Sequence, residues 1–405
     1  MGTKLTSATK QKRRIAILGS TGSIGESTLS VLDHAGDLGE ANFEIAALTA
    51  NTNVEKLAEQ ALKYKPEFVA VADESKGDDL RAALAGSGIK CGAGASAVED
   101  AAELDTDWVM AAIVGAAGLR PTLKAALRGA DIALANKECL VCAGDVLTAA
   151  IAKTGGALLP VDSEHNAIFQ VFDFDQSERI SRLILTASGG PFRDWSRDEM
   201  VSATPAQAVA HPNWSMGAKI SVDSATMMNK GLELIEAAHI FPVPHERIEI
   251  LVHPQSVIHS MVEYVDGSVL AQLGTPDMRT PIATTLAWPT RTPSPSAKID
   301  FAQVAKLTFE APDLIRFPAL RLAREAIMAG GIMPAALNAA NEVAVASFLA
   351  GGIKFLEIAA ISEQVLDRSV KLNGPATLST LEEAMDADSQ ARRMAEECVA
   401  AKAAA

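Results

Sequence analysis

A chain of 405 residues is too long for one ordinary hydrophobic core and predicts two or three domains. Its composition, 48% hydrophobic and 21% charged, is typical of a soluble globular protein. The formal net charge of −14 argues against nucleic acid as a partner, so local cations and backbone amides must hold any anionic ligand. Four cysteines in so long a chain fit a reducing, cytoplasmic compartment. The longest apolar stretch is too short to span a bilayer, so we expect no membrane partner.

The first part of the chain alternates strand-like and helical segments. Strand patterns occur at 14–18, 43–48, 68–71, 108–114, 132–135 and 158–161. Helical patterns lie between them, for example at 26–33, 54–63 and 79–85. This alternation predicts an α/β fold, a doubly wound, Rossmann-like parallel sheet over residues 1–162.

A glycine-rich loop with the sequence GSTGSIG occupies residues 19–25, directly after the first strand. Its backbone N–H groups would lie beside the N-terminus of the first helix, where phosphate binds well. The spacing is a variant of the dinucleotide fingerprint, so we predict a nucleotide here. Residues 50–53, after the second strand, lack the acid that usually holds the ribose of NAD. This permits the 2′-phosphate of NADP, although the immediate stretch has no Lys or Arg.

The remaining chain has a different pattern. Strand-like segments occur at 180–186, 248–252, 256–264 and 268–273, with a hairpin turn at Asp266-Gly267 between the last two. We therefore predict an α+β catalytic or connective domain over residues 163–290. Residues 291–312 begin with a Pro- and Ser-rich linker, and residues 313–405 fit a small helical bundle.

Asp162 and Glu164 follow the last strand of the first domain. In extended backbone, residues two apart point to the same side, so these two carboxylates can converge. Carboxylates held together repel unless a cation or a proton lies between them, and a hard divalent cation prefers oxygen ligands. The alternative is a solvated acidic pair at a helix N-terminus, where negative charge is also favourable.

The segment 211–233 has the highest density of polar side chains. Asp223 or Ser224 can cap a helix running to about residue 238. On that helix Asn229, Lys230 and Glu233 share one side, because they are three and four residues apart. Ser224, Asn229 and Lys230 offer donors suited to a phosphate, and Glu233 offers a third carboxylate. The alternative is a Lys230–Glu233 salt bridge on an ordinary amphipathic helix.

Two further stretches carry candidate residues. Asn136, Lys137 and Glu138 follow the strand at 132–135, at the edge where open α/β sheets bind ligands, although a surface Lys–Glu pair is the alternative. A donor-rich turn at 186–191 contains Ser188. From there to Trp214 the chain has weak periodicity, as expected of a lid, with an ordinary packed Trp as the alternative.

Together these stretches resemble the 1-deoxy-D-xylulose 5-phosphate reductoisomerase family of isoprenoid precursor synthesis, the non-mevalonate pathway. The motifs are GSTGSIG at 19–25, ANKE at 135–138, LPVDSEHNAIFQ at 159–170, SGGPFR at 188–193, HPNWSMG at 211–217, SVDSATMMNKGLE at 221–233, HPQSVIHSMV at 253–262, LGTPDMRTPI at 273–282 and ALNAANE at 336–342. The resemblance covers essentially the whole chain. It implies an NADPH-binding domain, a catalytic domain with a lid and a C-terminal helical domain, in a homodimer.

The resemblance also implies roles for individual residues. The ligands of Mg²⁺ or Mn²⁺ correspond to Asp162, Glu164 and Glu233, which form the catalytic set with Lys137. The residues at the phosphorylated substrate correspond to Lys137, Ser163, Glu164, Ser188, His211, Ser224, Asn229, Lys230 and Glu233. The lid contains Trp214 and Met216. The cofactor contacts correspond to Thr21, Gly22, Ser23, Ile24, Asn51, Asn53, Asn136, Glu138 and Gly217.

The expected reaction is the rearrangement and NADPH-dependent reduction of 1-deoxy-D-xylulose 5-phosphate to 2-C-methyl-D-erythritol 4-phosphate. Many relatives have Gly-Lys-Asn at 51–53, where this chain has Asn-Thr-Asn. Because the lysine is missing, we expect weaker binding of the 2′-phosphate of NADPH. One alternative is an NADP-dependent dehydrogenase of a phosphorylated hydroxy acid, which would leave three converging carboxylates without a role. Another is a non-catalytic nucleotide sensor, which would need neither the metal cluster nor the lid.

Overall fold

The structure, a computed structural model, describes residues 12–39, 43–214, 216–373 and 378–403. The chain forms two compact units. The first unit contains the chain up to Asn136 together with Ala150–Val161 and Met278–Ser296. The second contains Lys137–Ala149, Asp162–Asp277 and the chain from Ala297 onward.

The first unit is built on a seven-stranded parallel sheet. Its strands are β1 (Arg13–Leu18), β2 (Phe43–Ala50), β3 (Phe68–Val71), β4 (Lys90–Ala93), β5 (Trp108–Ala111), β6 (Asp131–Leu134) and β7 (Leu158–Pro160), in the order β4-β3-β2-β1-β5-β6-β7. The helices between these strands are α1 (Ser23–Asp37), α2 (Val54–Tyr64), α3 (Gly77–Ala83), α4 (Ala95–Ala102) and α5 (Leu119–Leu127). The next helix, α6 (Glu138–Thr154), is divided, because its residues up to Ala149 belong to the second unit. The predicted doubly wound fold is confirmed. Strand order reverses beside β1, where such sheets bind ligands.

The apolar run from Ile15 to Leu18 is fully buried, as expected for a central strand of a parallel sheet, which is covered on both faces. Strand β4 was not predicted. Its residues, Lys-Cys-Gly-Ala, lie at the sheet edge and none of them is fully buried, so the sequence carries little apolar signal. An edge strand can form on backbone pairing to one neighbour, here β3.

The second unit contains a four-stranded mixed sheet. Its strands are β8 (Ile180–Ala187), β9 (Ile248–Val252), β10 (Ile258–Tyr264) and β11 (Val269–Leu273), in the order β11-β10-β8-β9. Strands β10 and β11 form the predicted antiparallel hairpin, with Gly267 at a positive φ of 86° in its turn. One face of the sheet buries an apolar core that includes Ile168, Leu183, Leu234 and Phe241.

Helices make up the rest of the second unit. They are α7 (Ser163–Val171), α8 (Arg197–Met200), α9 (Pro205–Ala208), α10 (Ala218–Ala225) and α11 (Met228–Ile240). After α12 (Arg279–Ala287), which belongs to the first unit, come α13 (Phe301–Val304), α14 (Ala319–Ala329), α15 (Met333–Leu349), α16 (Phe355–Asn373) and α17 (Leu381–Ala403). The predicted C-terminal helical region is confirmed. In the part of the chain that the structure covers, no helix combines the length and apolarity that a membrane crossing requires.

Residues 278–296 differ from their predicted placement. We assigned them to the end of the catalytic domain and the start of the linker, but the structure includes them in the first unit. There α12 (Arg279–Ala287) packs against α1 and buries Ile282 and Leu286. The misplacement arose because the α12 sequence has no marked apolar stripe to show which unit it joins.

Candidate active site

Asp162 and Glu164 are brought together by the start of a helix. Asp162 is the N-cap of α7, and its Oδ1 accepts a hydrogen bond of 3.3 Å from the backbone N–H of Glu164. The predicted convergence is therefore correct, but the reason we gave for it is wrong, since Glu164 lies in the first helical turn and not in extended backbone. The carboxylates of Asp162, Glu164 and Glu233 offer oxygen atoms that all lie within 4.8 Å of one another.

Glu233 reaches this cluster from α11. We predicted one helix capped by Asp223 or Ser224, but the structure contains two, with α10 ending at Ala225 and Met227 in the left-handed region at φ 63°. The Thr226 hydroxyl accepts a hydrogen bond from the Met228 N–H, which stabilises the break. The sharp turn lets α11 start in a new direction.

The predicted shared face of α11 is confirmed by side-chain contacts. Asn229 donates a hydrogen bond from Nδ2 to Oε1 of Glu233, four residues further on. The ammonium of Lys230 forms an ion pair with the other oxygen of Glu233 and lies 2.8 Å from Oε1 of Glu164. The alternative, an ordinary Lys230–Glu233 salt bridge, is therefore incomplete, because Lys230 also contacts the carboxylate of Glu164 on α7.

Lys137 is the second ammonium in the cluster. Its Nζ lies 2.8 Å from Oδ2 of Asp162, 2.9 Å from Oδ1 of Asn229 and 3.2 Å from Oε1 of Glu233. Burial alone would lower the pKa of Lys137, but the neighbouring carboxylates, Asp162 first, raise it well above its usual range. The pKa of Lys230 is raised for the same reason, chiefly by Glu164. Both lysines are therefore donors and not proton acceptors at neutral pH.

The three acids do not titrate alike. Burial would raise the pKa of Asp162, but Lys137, His165 and Lys230 lower it below its usual range. The pKa of Glu233 is raised to about 7, because burial and the neighbouring acids outweigh its two lysine partners. The carboxylate oxygens of Asp162, Glu164 and Glu233 are the hard ligands that a divalent cation such as Mg²⁺ prefers. The residues present therefore suit the metal that the sequence predicted.

Two residues of this region were missed by the sequence interpretation. His165 and Glu236 are fully buried, and together with Asp162 they form a second group of ligand-type atoms within 4.8 Å. His165 donates from Nε2 to the carbonyl of Glu233 at 2.9 Å, and its Nδ1 lies 3.2 Å from Oε2 of Glu236. Each stands one helical turn after a predicted ligand, and that i+3 spacing was the signal available in the sequence.

A second group of polar residues surrounds Ser188, directly after β8. Its Oγ lies 2.8 Å from Nε2 of His211 and accepts a hydrogen bond from the Gly190 N–H. His211 accepts at Nδ1 from the N–H groups of Asn213 and Trp214, so its proton must be on Nε2 and is donated to Ser188. The Ser188 hydroxyl thus accepts twice, and its own proton is available to an anionic oxygen.

The predicted lid begins next to this group. Gly190 has a φ of 67°, and a Cβ there would stand 2.5 Å from the carbonyl of Ser224, so the turn lies directly on the end of α10. Ser188 contacts His211, and the turn that follows Ser188 lies against the backbone of Ser224. The Trp214 ring lies 6.1 Å from that of His259, and both Trp214 and Met216 are partly buried.

The glycine loop of the first unit has the geometry of an anion site. Gly19 has a φ of 91°, and a Cβ at Gly25 would collide with the backbone of Ser20 at 2.4 Å. Gly22 is the N-cap of α1 and supplies no side-chain cap, which leaves the first-turn N–H groups for a ligand. Every one of the predicted contacts in this loop is exposed or partly exposed, namely Thr21, Gly22, Ser23 and Ile24.

The other predicted cofactor residues have varied surroundings. Asn53 caps α2 by accepting from the Lys56 N–H, and Asn51 beside it is exposed. Asn136 is buried and donates to the carbonyl of Gly115 at 3.1 Å, which gives it a structural role in the first unit. In the second unit, Glu138 is the first residue of α6 and Gly217 is the N-cap of α10.

The raised pKa of Glu233 predicts that metal binding depends on pH. A folded-state pKa of about 7, against an ordinary value of 4.5, makes the metal-free protein lose stability as the pH rises from 4.5 through 7. Because only the ionised carboxylate binds metal, we expect Mg²⁺ binding at pH 6 to release a proton and to strengthen about tenfold per pH unit up to 7. Calorimetric Mg²⁺ titrations in two buffers of different ionisation enthalpy measure that proton. No release at pH 6 would show that Glu233 is already ionised.

Comparisons with known proteins identify what this chain is similar to. The family model of 1-deoxy-D-xylulose 5-phosphate reductoisomerase matches residues 15–144, and that of its C-terminal domain matches 158–241. A further model, the DXP reductoisomerase C-terminal domain, matches residues 273–394. The reductoisomerase of Caulobacter vibrioides is 59% identical, over 96% of this chain and 97% of its own, and that of Rhodospirillum centenum is 58% identical, over 96% and 95%.

Solved structures give the same result. The reductoisomerase of Zymomonas mobilis in complex with NADPH superimposes with a TM-score of 0.89 at 53% identity, covering 96% of this chain and 99% of that one. A DOX-P reductoisomerase in complex with NADPH, fosmidomycin and magnesium also has a TM-score of 0.89, at 43% identity and with 96% and 98% coverage.

Proposed function

The chain belongs to the 1-deoxy-D-xylulose 5-phosphate reductoisomerase family, and we propose that Asp162, Glu164 and Glu233 hold the metal at which its reaction occurs. The enzyme converts 1-deoxy-D-xylulose 5-phosphate to 2-C-methyl-D-erythritol 4-phosphate, with NADPH and a divalent metal, in isoprenoid precursor synthesis. The observation that carries the assignment of the site is the convergence of three carboxylates within 4.8 Å. A dehydrogenase that does not rearrange its substrate would have no use for them.

The chemistry requires a carbon skeleton to rearrange before there is an aldehyde to reduce. When bound, the metal would polarise the substrate's carbonyl and hydroxyl oxygens, and NADPH would supply the hydride. The three acids fix the position of those oxygens from two helices, α7 and α11. Ser163, whose hydroxyl donates to Glu164 within the first turn of α7, orients that carboxylate.

Lys137 supports the same step as a fixed donor. Its raised pKa keeps the ammonium charged, so it stabilises negative charge on a reacting oxygen and does not remove a proton. Because it also contacts Asp162 and Glu233, it compensates the charge of the carboxylates before the substrate arrives.

The phosphate is assigned to donors around Ser188 and along α11. The free proton of Ser188, the neighbouring Ser224, and the donors of Asn229 and Lys230 provide hydrogen bonds and positive charge for an anion. His211 keeps Ser188 oriented, because its Nε2–H points at the hydroxyl oxygen. Binding energy at the phosphate is remote from the reacting carbons and is therefore available for orientation. Closure of the lid, with Trp214 and Met216, would keep water from the aldehyde.

The glycine loop is proposed to bind the NADPH pyrophosphate, and residues 51–53 the adenosine end. Exposed Asn51 and Thr52 bring no carboxylate that would repel a 2′-phosphate, and no cation in that stretch grips it. We predict that Thr52→Lys raises the preference for NADPH over NADH by about ten- to a hundredfold, since a charge-assisted hydrogen bond contributes roughly 1.5–3 kcal/mol. Steady-state kinetics with both cofactors, and Thr52→Met as the uncharged control, measure it. An unchanged ratio would place the discriminating residues elsewhere.

The function itself is tested by the product. The ketose phosphate, NADPH and Mg²⁺ should give a branched polyol phosphate, which NMR distinguishes from a straight-chain one. A straight-chain product would favour the alternative, an NADP-dependent dehydrogenase acting on a phosphorylated hydroxy acid. Failure to oxidise NADPH at all would favour a nucleotide sensor.

Three further properties are part of the proposal. Mn²⁺ should replace Mg²⁺, because both accept carboxylate oxygens. We propose a homodimer, supported by edge strand β11, where Val269 and Leu270 are nearly half exposed. A cytoplasmic location fits the four free cysteines. The division into an NADPH-binding domain at 1–162, a catalytic domain at 163–290, a linker at 291–312 and a helical domain at 313–405 stays a prediction, from which the compact units differ at 278–296 and at 137–149, the latter being part of the second unit.

A further inference from the structure

The motif at residues 336–342 has no role in the function described so far. It lies within α15, and its two asparagines, Asn338 and Asn341, are fully buried. Buried amides are costly unless they are hydrogen-bonded, so an apolar residue would be the simpler choice for packing alone. The Oδ1 atom of Asn341 has no hydrogen-bond partner among the described residues. A half-satisfied buried amide of this kind calls for an explanation beyond packing.

The amide of Asn341 is aimed at a buried carboxylate. Its Nδ2 donates to Oδ1 of Asp223 at 2.7 Å, and Asp223 is 1% exposed. The other oxygen of Asp223 pairs with Lys219, one turn earlier on α10, at 2.8 Å. Lys219 also lies 3.5 Å from Oε1 of Glu138. The result is a series of polar contacts from α15 through α10 to the first residue of α6, in which the Lys219 side chain is 28% exposed and the other three residues are buried.

Opposite charges stabilise the contacts of Lys219 with Asp223 and Glu138. Burial would lower the pKa of Lys219, but the carboxylates of Asp223, Glu138 and Glu342 raise it above its usual range. Lys219 is therefore a permanent cation between acids on different helices. Without Lys219, the Asp223 carboxylate would be an uncompensated buried charge, so the pair is costly to break.

Two members of this series of contacts, Glu138 and Asp223, adjoin residues of the proposed active site. Glu138 follows Lys137, whose carbonyl accepts from the N–H groups of Leu140 and Val141 as the N-cap of α6. Asp223 precedes Ser224. A small rotation of the first turn of α6 would move the Lys137 ammonium away from Asp162 and Glu233, and a shift of about 1 Å can cost a hundredfold in rate.

We infer that Asp223 and Asn341 are positioning residues, which hold Lys219 against Glu138 and thereby fix Lys137 among the carboxylates. The inference rests on the proposed role of Lys137 at the metal cluster. It gives the C-terminal helices a part in catalysis that does not require contact with substrate. Asn341 orients the carboxylate of Asp223, and that carboxylate orients the ammonium of Lys219. The ammonium in turn holds Glu138 and so fixes the start of α6.

An exchange of the two partners separates positioning from packing. Asp223→Asn and Asn341→Asp should each lower both Tm and kcat. The double exchange restores one amide and one carboxylate, so Tm should recover. Lys219 nevertheless loses its partner on the same helix, so kcat should stay about 10- to 100-fold below the parent, the range for groups that orient a metal site. Recovery of kcat together with Tm would overturn the inference.

Asn341→Leu decides the matter if the double exchange does not fold. Under conditions where circular dichroism shows this variant to be fully folded, its kcat should be at least about tenfold below that of the parent. The control is Ser362→Ala on α16, another buried polar side chain of the C-terminal helices, which donates to the carbonyl of Ile358 on its own helix and should stay within about twofold of the parent. An unaltered kcat in Asn341→Leu, or an equal loss in Ser362→Ala, would also overturn the inference.

Metal affinity gives a readout independent of turnover. Displacing Lys137 removes a cation that competes at the carboxylates, so Mg²⁺ should bind Asn341→Leu more tightly, as it should bind Lys137→Met. Unchanged Mg²⁺ affinity in Asn341→Leu would show that Lys137 has not moved. If the parent chain formed no branched product, the proposed function would fail, while the Mg²⁺ titrations would still report on positioning.

Discussion

Glu233→Gln is expected to lower turnover by at least about a thousandfold while NADPH still binds. Loss of an orienting group around a metal costs roughly 10- to 100-fold, and loss of an anionic ligand should cost more. The glutamine keeps the shape of the side chain and one oxygen but removes the charge. The glycine loop at 19–25 lies in the other compact unit and should be unaffected.

Calorimetry with Mg²⁺ and fluorescence titration with NADPH measure the two affinities separately. The matched control is Glu263→Gln on β10, whose carboxylate pairs with Arg182 outside the cluster. It should bind Mg²⁺ like the parent. Full activity and unchanged Mg²⁺ affinity in Glu233→Gln would mean that Glu233 only balances the charge of Lys137 and Lys230.

Lys137→Met should give the opposite result at the metal. We expect kcat to fall about 10²- to 10³-fold, the usual loss when one fixed donor to a developing negative charge is removed. Without metal the protein should lose stability, since Asp162 and Glu233 are left with less compensation. Mg²⁺ should bind more tightly than to the parent and restore that stability, because its competitor is gone.

Thermal unfolding with and without Mg²⁺, together with single-turnover rates, measures these effects. Lys124→Met serves as the control, because that lysine pairs with Glu99 and Glu103 on the surface of the first unit. A lower Mg²⁺ affinity in Lys137→Met would show that the lysine supports the metal site instead of competing with the metal. A normal rate would remove Lys137 from the reaction.

The sequence was sufficient for much of the fold and for the identity of the acids. Buried parallel strands such as β1 are continuous apolar runs, and the β10–β11 hairpin is marked by Asp266-Gly267, so both were predictable. The carboxylates of Asp162, Glu164 and Glu233 were predictable because their spacing along the chain and the family motifs point to the same residues. Spacing also placed Asn229 and Glu233 on one side of a helix, as their hydrogen bond confirms.

Other features depend on tertiary contacts that no local pattern records. The break at Met227 requires a left-handed residue that is not glycine, held by Thr226 and by packing, so the sequence predicted an unbroken helix. Edge strand β4 has too few buried side chains to be recognised. The link from Asn341 to Asp223 joins residues 118 positions apart, and only the folded chain shows it.

The placement of the metal is tested most directly by anomalous X-ray scattering from crystals of the protein grown with Mn²⁺. We expect one strong peak within about 2–2.5 Å of carboxylate oxygens from Asp162, Glu164 and Glu233. The peak should be absent from Glu233→Gln crystals grown at the same Mn²⁺ concentration. A peak held instead by Asp162, His165 and Glu236, or no peak at either group, would contradict the assignment of the catalytic metal.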